Sequence, residues 1–201
     1  MIKNIFFDFG QVLVYFIPYD LTKAYVDNEN DIKIVEEVLF DRLYWDKLDA
    51  GTITDEEVVE AVKKRLPNRL HELAENAYYN WIYNITEVEG MSEIVKKLKR
   101  KGINLCILSN ISKYFAKHYK EVPILQHFDR FIFSAEIGLV KPQKDIFEYA
   151  LKNNGFIASE TLFIDDRENN VLGAKSVGIN GYVFDGDSKK LSEYLKSIGL
   201  L

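Results

Sequence analysis

Five short apolar segments, each followed by a pattern of helical periodicity, constrain the fold of this chain more than any other feature. They span residues 5–8, 104–109, 130–134, 162–165 and 181–184. Strands buried on both faces of a parallel sheet are nearly continuous in apolar residues, and helices usually connect them. The alternation therefore predicts an α/β fold with a doubly wound parallel sheet and right-handed crossovers.

A run of consecutive helices interrupts this alternation after the first strand. The periodicity predicts these helices over residues 20–28, 31–44, 54–65 and 70–83. Thr54 and Glu57 have the spacing of a capping box at the start of the third helix. We expect an α/β core of residues 1–14 and 88–201 with an inserted all-α subdomain of residues 15–87. The helices predicted in the core span residues 91–101, 143–153, 169–177 and 188–198.

Composition argues against several classes of protein. The chain has 201 residues, a formal net charge of −5 and no stretch dominated by Lys and Arg, so nucleic acid is not an expected partner. Cys106 is the only cysteine, which excludes an intramolecular disulfide. No apolar run has the length of a membrane span, and no signal-peptide pattern precedes the first strand. We expect a cytoplasmic protein that is a monomer or a weak homodimer and does not bind membranes.

Polar residues occur at or just beyond the carboxyl ends of four predicted strands. They are Asp8, Ser109-Asn110, Lys141-Pro142 and Asp165-Asp166. Taken singly, each is compatible with a helix cap or a turn. The carboxyl ends of parallel strands share one edge of the sheet, which is where open α/β folds bind their ligands. The four sets together therefore predict one site at that edge.

The residue types at this edge suit phosphoryl transfer. A carboxylate such as Asp8 can attack phosphorus and form an acyl-phosphate, which divides one difficult step into two easier ones. Lys141 supplies a positive charge, and Ser109 and Asn110 supply hydrogen-bond donors for the phosphoryl oxygens. The acidic pair after the fourth strand completes, with Asp8, an all-oxygen set that suits Mg²⁺.

Together these motifs resemble those of the haloacid dehalogenase superfamily of hydrolases, over essentially the whole chain. The matching segments are residues 7–13, 108–110, 138–147 and 163–170, with Gly173-Ala174 and Gly178-Ile179. The resemblance implies a Rossmann-like core with an inserted helical-bundle cap of the C1 type. Within the superfamily the chain is similar to bacterial phosphatases of α-D-glucose 1-phosphate and to the N-terminal phosphatase domain of soluble epoxide hydrolases.

The resemblance also implies a role for each residue of the phosphate site. Asp8 would be the nucleophile, and Lys141 would bridge Asp8 and the phosphate. Ser109 and Asn110 would hold the phosphoryl oxygens.

A Mg²⁺ site is implied in the same way. Asp166 would be its main carboxylate ligand, together with Asp8 and the main-chain carbonyl of Gly10. Asp165 would bind the metal directly or through water. Asn170 stands where relatives commonly have an aspartate that supports the metal ligands.

Gly10 is the departure from the superfamily pattern. Most of its phosphatases carry an aspartate there, which protonates the leaving group and later activates water. A general acid–base contributes typically ~10²–10⁴-fold to a rate. Two hypotheses account for the glycine. Either the leaving group needs little protonation, as for the anomeric oxygen of a sugar 1-phosphate, or a cap residue or Gln11 positions a water.

The segment 43–53 of the insert is expected to face the site, with Trp45 and Asp46 as candidate substrate contacts. Packing of Trp45 between cap helices is an equally good interpretation of a large aromatic residue. His71, His118 and His127 lack the spacing of a metal site, and we interpret them as surface or structural residues.

The leading prediction is a Mg²⁺-dependent phosphatase of a small phosphorylated metabolite, namely a sugar phosphate such as a hexose 1-phosphate. It would act through an aspartyl-phosphate on Asp8. One alternative is a metal-independent 2-haloacid dehalogenase, against which the pair Asp165-Asp166 counts. The other is a catalytically silent binding or regulatory protein of the same fold, against which retention of Asp8 and Lys141 counts.

Overall fold

The computed structural model describes residues Met1–Leu201 and has a parallel sheet at its centre. The seven strands of the chain are β1 (Asn4–Phe7), β2 (Val14–Tyr15), β3 (Thr86–Glu87), β4 (Asn104–Ser109), β5 (Arg130–Phe133), β6 (Thr161–Asp165) and β7 (Asn180–Val183). Five of them form one sheet in the order β5-β4-β1-β6-β7, and every neighbouring pair is parallel. The predicted doubly wound α/β fold is confirmed, and each predicted strand lies within one residue of the observed bounds.

Helices connect the strands and fill the segment between β2 and β3. They are α1 (Pro18–Lys23), α2 (Glu29–Leu39), α3 (Trp45–Asp49), α4 (Asp55–Lys63), α5 (His71–Asn80), α6 (Met91–Arg100), α7 (Lys113–His118), α8 (Ser134–Ile137), α9 (Lys144–Asn154), α10 (Glu168–Ser176) and α11 (Ser188–Ser197). Short 3₁₀ turns add Asn68–Leu70, Trp81–Tyr83, Tyr119–Glu121, Pro123–His127 and Ala158–Glu160. None of the helices has the length and apolar character needed to cross a membrane.

The prediction of one helix over residues 31–44 is wrong, because α2 ends at Leu39 and α3 begins only at Trp45. Between them the Asp41 carboxylate accepts a hydrogen bond from the Leu43 backbone N–H at 3.0 Å. Aspartate makes such local bonds in competition with the helical pattern, which favours a turn. The capping box of α4 is confirmed, since Thr54 and Glu57 exchange both of its hydrogen bonds.

Apolar residues cover both faces of the sheet. Within β1 the side chains alternate, so that Ile5 and Phe7 join the larger cluster on one face and Phe6 joins the cluster on the other. A strand buried on both faces has this continuous apolar character, and the arrangement leaves only its carboxyl end open to ligands.

The helical insert between β2 and β3 has an apolar core of its own. The buried residues of this core all lie between Val26 and Tyr78. At its base β2 and β3 form a short antiparallel pair, with Val14 opposite Glu87 and Tyr15 opposite Thr86. The segments that enter and leave the insert therefore lie side by side, just beyond the loop that follows Asp8.

Candidate active site

The structure brings three of the predicted charged residues into direct contact at the carboxyl edge of the sheet. Asp8 follows β1, Asp165 ends β6, and Lys141 lies in the loop between α8 and α9. The Lys141 Nζ atom is 2.8 Å from Asp8 Oδ1 and 2.7 Å from Asp165 Oδ2. All three side chains are buried, so the ammonium group balances two carboxylates that have lost most of their contact with water.

Asn110 holds the main chain of Lys141 in place. Its Oδ1 accepts a hydrogen bond from the Lys141 backbone N–H at 2.8 Å, and its Nδ2 donates to the Lys141 carbonyl at 3.0 Å. The amide therefore spans two loops at the sheet edge and keeps one Nδ2 hydrogen for a ligand. The neighbouring Ser109 is buried at the end of β4, and its hydroxyl, beside the Asp8 carboxylate, lowers the pKa of Asp8.

Asp165 is fully buried and accepts from donors on both oxygens. Oδ1 accepts from the Arg167 backbone N–H at 2.8 Å, and Oδ2 accepts from Lys141. The Asn170 Nδ2 atom lies 3.0 Å from each oxygen. A carboxylate has about four lone-pair positions, and these contacts occupy them. Asp165 thus anchors Lys141, whereas the half-buried Asp166 keeps its carboxylate open towards the site.

Asn170 and Asn169 lie next to each other in the first turn of α10, and only Asn170 is buried. We expect Asn170→Ala to lower the free energy of unfolding by about 1–3 kcal/mol, because the buried Asp165 loses a donor. Asn169→Ala is the matched control and is expected to change it by no more than about 0.5 kcal/mol. Urea denaturation of the three proteins without added metal measures both effects. Equal losses in the two variants would contradict the anchoring role of Asn170.

Burial and the neighbouring charges both shift the pKa values of the residues in this site. Burial by itself lowers the pKa of Lys141, but Asp8 and Asp165 outweigh it and hold that pKa above its ordinary value. Burial raises the pKa of Asp8, and Lys141 only partly offsets this. Burial and the nearby Asp165 also raise the pKa of Asp166. The site therefore has an excess of negative charge, with a single buried ammonium group to balance it.

This carboxylate cluster fits a divalent cation. Ligand oxygens of Asp8, Asp165 and Asp166 all lie within 4.8 Å of one another. Hard cations such as Mg²⁺ prefer oxygen ligands of this kind and usually bind through one or two carboxylates while keeping several waters. A bound cation would offset the burial and the repulsion that raise the pKa values of Asp8 and Asp166.

Gly10 lies in the tight loop after Asp8. A Cβ atom added to Gly10 would have no heavy atom within 4 Å, so packing does not require a glycine here. The next residue, Gln11, has a φ of 59°, and its Nε2 donates to the Phe16 carbonyl at 2.9 Å. The Gln11 amide is thus tied to the loop that leads into the insert.

A cavity of about 410 Å³, which we call the main cavity, opens between the sheet edge and the helical insert. The residues that line it come from both parts of the chain: Asp8, Phe9, Gly10, Gln11, Phe16, Pro18, Phe40, Arg42, Trp45, Asp49, Trp81, Ser109, Asn110, Ile111, Asp166 and Arg167. A volume of this size suits a small-molecule ligand.

Of the two candidates in the insert, the structure places Trp45 on this wall and Asp46 outside it, exposed to solvent. Trp45 also packs against Phe16 and Phe40, with ring centroids 5.6 and 6.1 Å apart, so its packing within the insert is compatible with a place on the cavity wall.

Three charged residues of the main cavity were not predicted from the sequence. They are Arg42 and Asp49 of the insert and Arg167 of the core. Asp49 lies three positions after Asp46 in the same helix, and no motif distinguishes the two aspartates in the sequence. Arg167 directly follows the acidic pair, which was the only available signal for it.

The sequence of this chain is similar to those of several known proteins. A family model described as haloacid dehalogenase-like hydrolase matches residues 2–178. D-ribitol-5-phosphate phosphatase of Bacteroides thetaiotaomicron is 29% identical over 207 aligned positions, which cover 90% of this chain and 91% of that protein. Bifunctional epoxide hydrolase 2 of Rattus norvegicus is 27% identical over 114 positions, which cover 54% of this chain and 21% of that protein.

A solved structure extends the likeness to the fold. A HAD family enzyme of Bacteroides thetaiotaomicron, crystallised with magnesium and inorganic phosphate, matches with a TM-score of 0.73 and 21% identity. The match covers 95% of this chain and 99% of that chain. At this identity the likeness shows a common fold for the core and the insert together.

Proposed function

Because the chain belongs to the haloacid dehalogenase-like hydrolases, we propose that it is a Mg²⁺-dependent phosphatase of a small phosphorylated metabolite. The substrate class is a sugar or polyol phosphate, with hexose 1-phosphates among the candidates. The contact of the buried Lys141 with both Asp8 and Asp165, beside the open carboxylate of Asp166, carries this proposal. This arrangement brings together a nucleophile, a fixed positive charge and the oxygen ligands of a metal site.

In this function Asp8 attacks phosphorus through a carboxylate oxygen and forms an aspartyl-phosphate, which water then hydrolyses. Lys141, held by Asn110 and Asp165, faces the negative charge that collects on the phosphoryl oxygens. Ser109 and the free Nδ2 hydrogen of Asn110 donate to the same oxygens. Bound Mg²⁺, held by Asp166, Asp8 and the Gly10 carbonyl with Asp165 beside them, would supply further charge neutralisation.

The helical insert is the proposed cap of this site, within the expected bounds 15–87. It has its own apolar core and supplies about half of the main cavity, including Phe16, Phe40 and Trp45. Aromatic faces suit the apolar surface of a sugar, and Arg42 suits a polar or anionic substituent. The likeness to a D-ribitol-5-phosphate phosphatase supports a polyhydroxylated substrate.

Chelation tests the metal requirement. We expect EDTA to abolish phosphate release from sugar phosphates and excess Mg²⁺ to restore it, because Asp8 and Asp166 would otherwise face an anionic substrate without a metal to offset their charge. The assay is phosphate release over a panel of sugar 1-phosphates, sugar 6-phosphates, D-ribitol 5-phosphate and nucleotides, with and without Mg²⁺. Chloride release from chloroacetate in the presence of EDTA, without phosphatase activity, would favour the 2-haloacid dehalogenase instead.

A further inference from the structure

The proposed function leaves open which group protonates the departing oxygen, and the inference below depends on that function. Gly10 provides no carboxylate on the core side of the main cavity, although a side chain would fit there. Asp49 lines the same cavity as Asp8 and Gly10 and approaches it from the insert. It also lines a small adjoining cavity of about 30 Å³ beneath Trp45 and Trp81.

The backbone of the insert is fixed to the core directly beside Asp49. Gly51 has a φ of 67°, and a Cβ atom added to it would overlap the carbonyl oxygen of Ala135 in α8. The Gly51 carbonyl also accepts a hydrogen bond from Lys113 Nζ at 3.2 Å. Only a glycine permits so close an approach of the two chains. The end of α3 is therefore held over the sheet edge, and Asp49 with it.

The Asp49 carboxyl does not stabilise the fold through a hydrogen bond or an ion pair. Helix α3 ends at Asp49, and the hydrogen bonds that close the helix come from backbone groups. The charged groups near it are Arg42 and Asp46 from the insert and Lys141 and Arg167 from the core. Asp55, Tyr78 and Tyr114 line the small cavity on its other side. Tyr78 donates to Asp55 at 2.8 Å, so this acidic group of the small cavity already has its own partner.

Burial raises the pKa of Asp49 to about 6, and Lys141 offsets only part of the effect. A carboxyl group with a pKa near the working pH can both give and take a proton, which is the property that general acid–base catalysis needs.

We propose that Asp49 of the helical insert is the general acid–base of the reaction and takes the place of the carboxylate missing at position 10. The Asp8 oxygen forms a bond to phosphorus while the bond from phosphorus to the leaving oxygen breaks. The electron pair of that bond goes to the leaving oxygen, which takes the proton of the Asp49 carboxyl and departs as an alcohol.

In the second step the Asp49 carboxylate takes a proton from water as the water oxygen bonds to phosphorus. The bond between phosphorus and Asp8 breaks, which releases inorganic phosphate and restores both aspartates. With this donor, esters of ordinary alcohols become substrates, such as the terminal phosphates of sugars and polyols. The chain then does not depend on the better leaving group of a sugar 1-phosphate.

The test compares Asp49→Asn with the wild type on two kinds of ester in the presence of Mg²⁺. For the terminal sugar or polyol phosphate that the wild type hydrolyses best, we expect kcat/KM to fall by ~10²–10⁴-fold. For p-nitrophenyl phosphate we expect no comparable loss in aspartyl-phosphate formation, because p-nitrophenolate leaves without a proton. Rapid-mixing release of p-nitrophenol measures this first step separately from hydrolysis.

Two further variants separate proton transfer from a structural role. Asp27→Asn removes an exposed carboxylate of the insert and should leave both rates unchanged. Adding Gly10→Asp to Asp49→Asn places a carboxyl group on the core side and should restore much of the lost rate on the alkyl ester. In the wild type, the ratio of the alkyl to the aryl rate should fall as the pH rises above about 6. In Asp49→Asn that ratio should not change with pH.

Three results would overturn the inference. One is an equal fall in the rate of aspartyl-phosphate formation from both esters in Asp49→Asn, which would make Asp49 a binding residue. Another is no loss on either ester while the activity still requires Asp8 and Mg²⁺. The third is a wild type that hydrolyses only esters with good leaving groups, which would support the leaving-group hypothesis instead. A wild type without any phosphatase activity would contradict the proposed function itself.

Discussion

Asp8→Asn is expected to lower kcat for phosphate release on the order of 10⁴-fold or more, as for the loss of a catalytic nucleophile. The amide of asparagine cannot form the acyl-phosphate, while the other groups of the site remain. Asparagine keeps the size of aspartate and an Oδ1 atom that can accept from the Phe9 backbone N–H, a contact of 2.7 Å in the structure. The fold should therefore survive. Steady-state phosphate release and thermal unfolding of the same preparation measure both properties.

A matched control for this variant is Asp20→Asn in α1, which removes one exposed negative charge of the insert and should retain wild-type activity. Trapping of beryllium fluoride with Mg²⁺ in the wild type, and its absence in Asp8→Asn, would locate the phosphoryl site at this residue. A folded Asp8→Asn protein with wild-type turnover would contradict the proposed mechanism. No trapping and no turnover in the wild type over the whole substrate panel would favour the silent binding protein.

Lys141→Met is expected to destabilise the protein by about 3–5 kcal/mol, because it leaves buried carboxylates without their counter-ion. The ammonium group contacts both Asp8 and Asp165, and all three side chains are almost inaccessible to water. Methionine has a similar length, so the change removes the charge with little change in volume. Urea denaturation at neutral pH without metal measures the loss.

The control for the buried charge is Lys144→Met, in the first turn of α9 just beyond the same loop. The Lys144 side chain is exposed and lies 4.0 Å from Glu148, a surface pair that contributes little. We expect its free energy of unfolding to change by no more than about 0.5 kcal/mol. Similar losses in the two variants would show that the charge of Lys141 is not what matters for stability. Activity of Lys141→Met should also fall sharply, since Asp8 loses its nearest cation.

The strands and the polar residues at their ends could be predicted from the sequence because both depend on local order along the chain. A run such as residues 104–109 is apolar because both of its faces are buried, and the polar residues begin where the sheet ends. Parallel pairing then places Asp8, Ser109 and Asp165 on one edge whatever the details of packing. Lys141 lies beyond α8 and not at a strand end, so its contact with two of these acidic groups also depends on the hydrogen bonds that Asn110 makes to its main chain.

The side chains of the insert that line the site were harder to predict, because packing between helices decides which of them point towards it. The prediction that residues 31–44 form one helix missed the turn at Asp41, where the carboxylate accepts a hydrogen bond from the Leu43 backbone N–H. Of the aspartates in α3, Asp46 is exposed and Asp49 faces the main cavity. Which of them faces the core depends on how α3 docks against α8, and that contact joins residues far apart in the chain.

The sequence by itself determined the parallel sheet, the place of the site at its carboxyl edge and the residue types available there for chemistry. Periodicity and strand ends are properties of neighbouring residues, so they can be recognised without coordinates. The tertiary structure alone decided that Asp165 is fully hydrogen-bonded while Asp166 stays open, and that Asp49 shares a cavity with Gly10. These facts depend on contacts between segments that are far apart in the chain. Such contacts bury and pair individual side chains without producing a pattern that can be recognised in a single sequence.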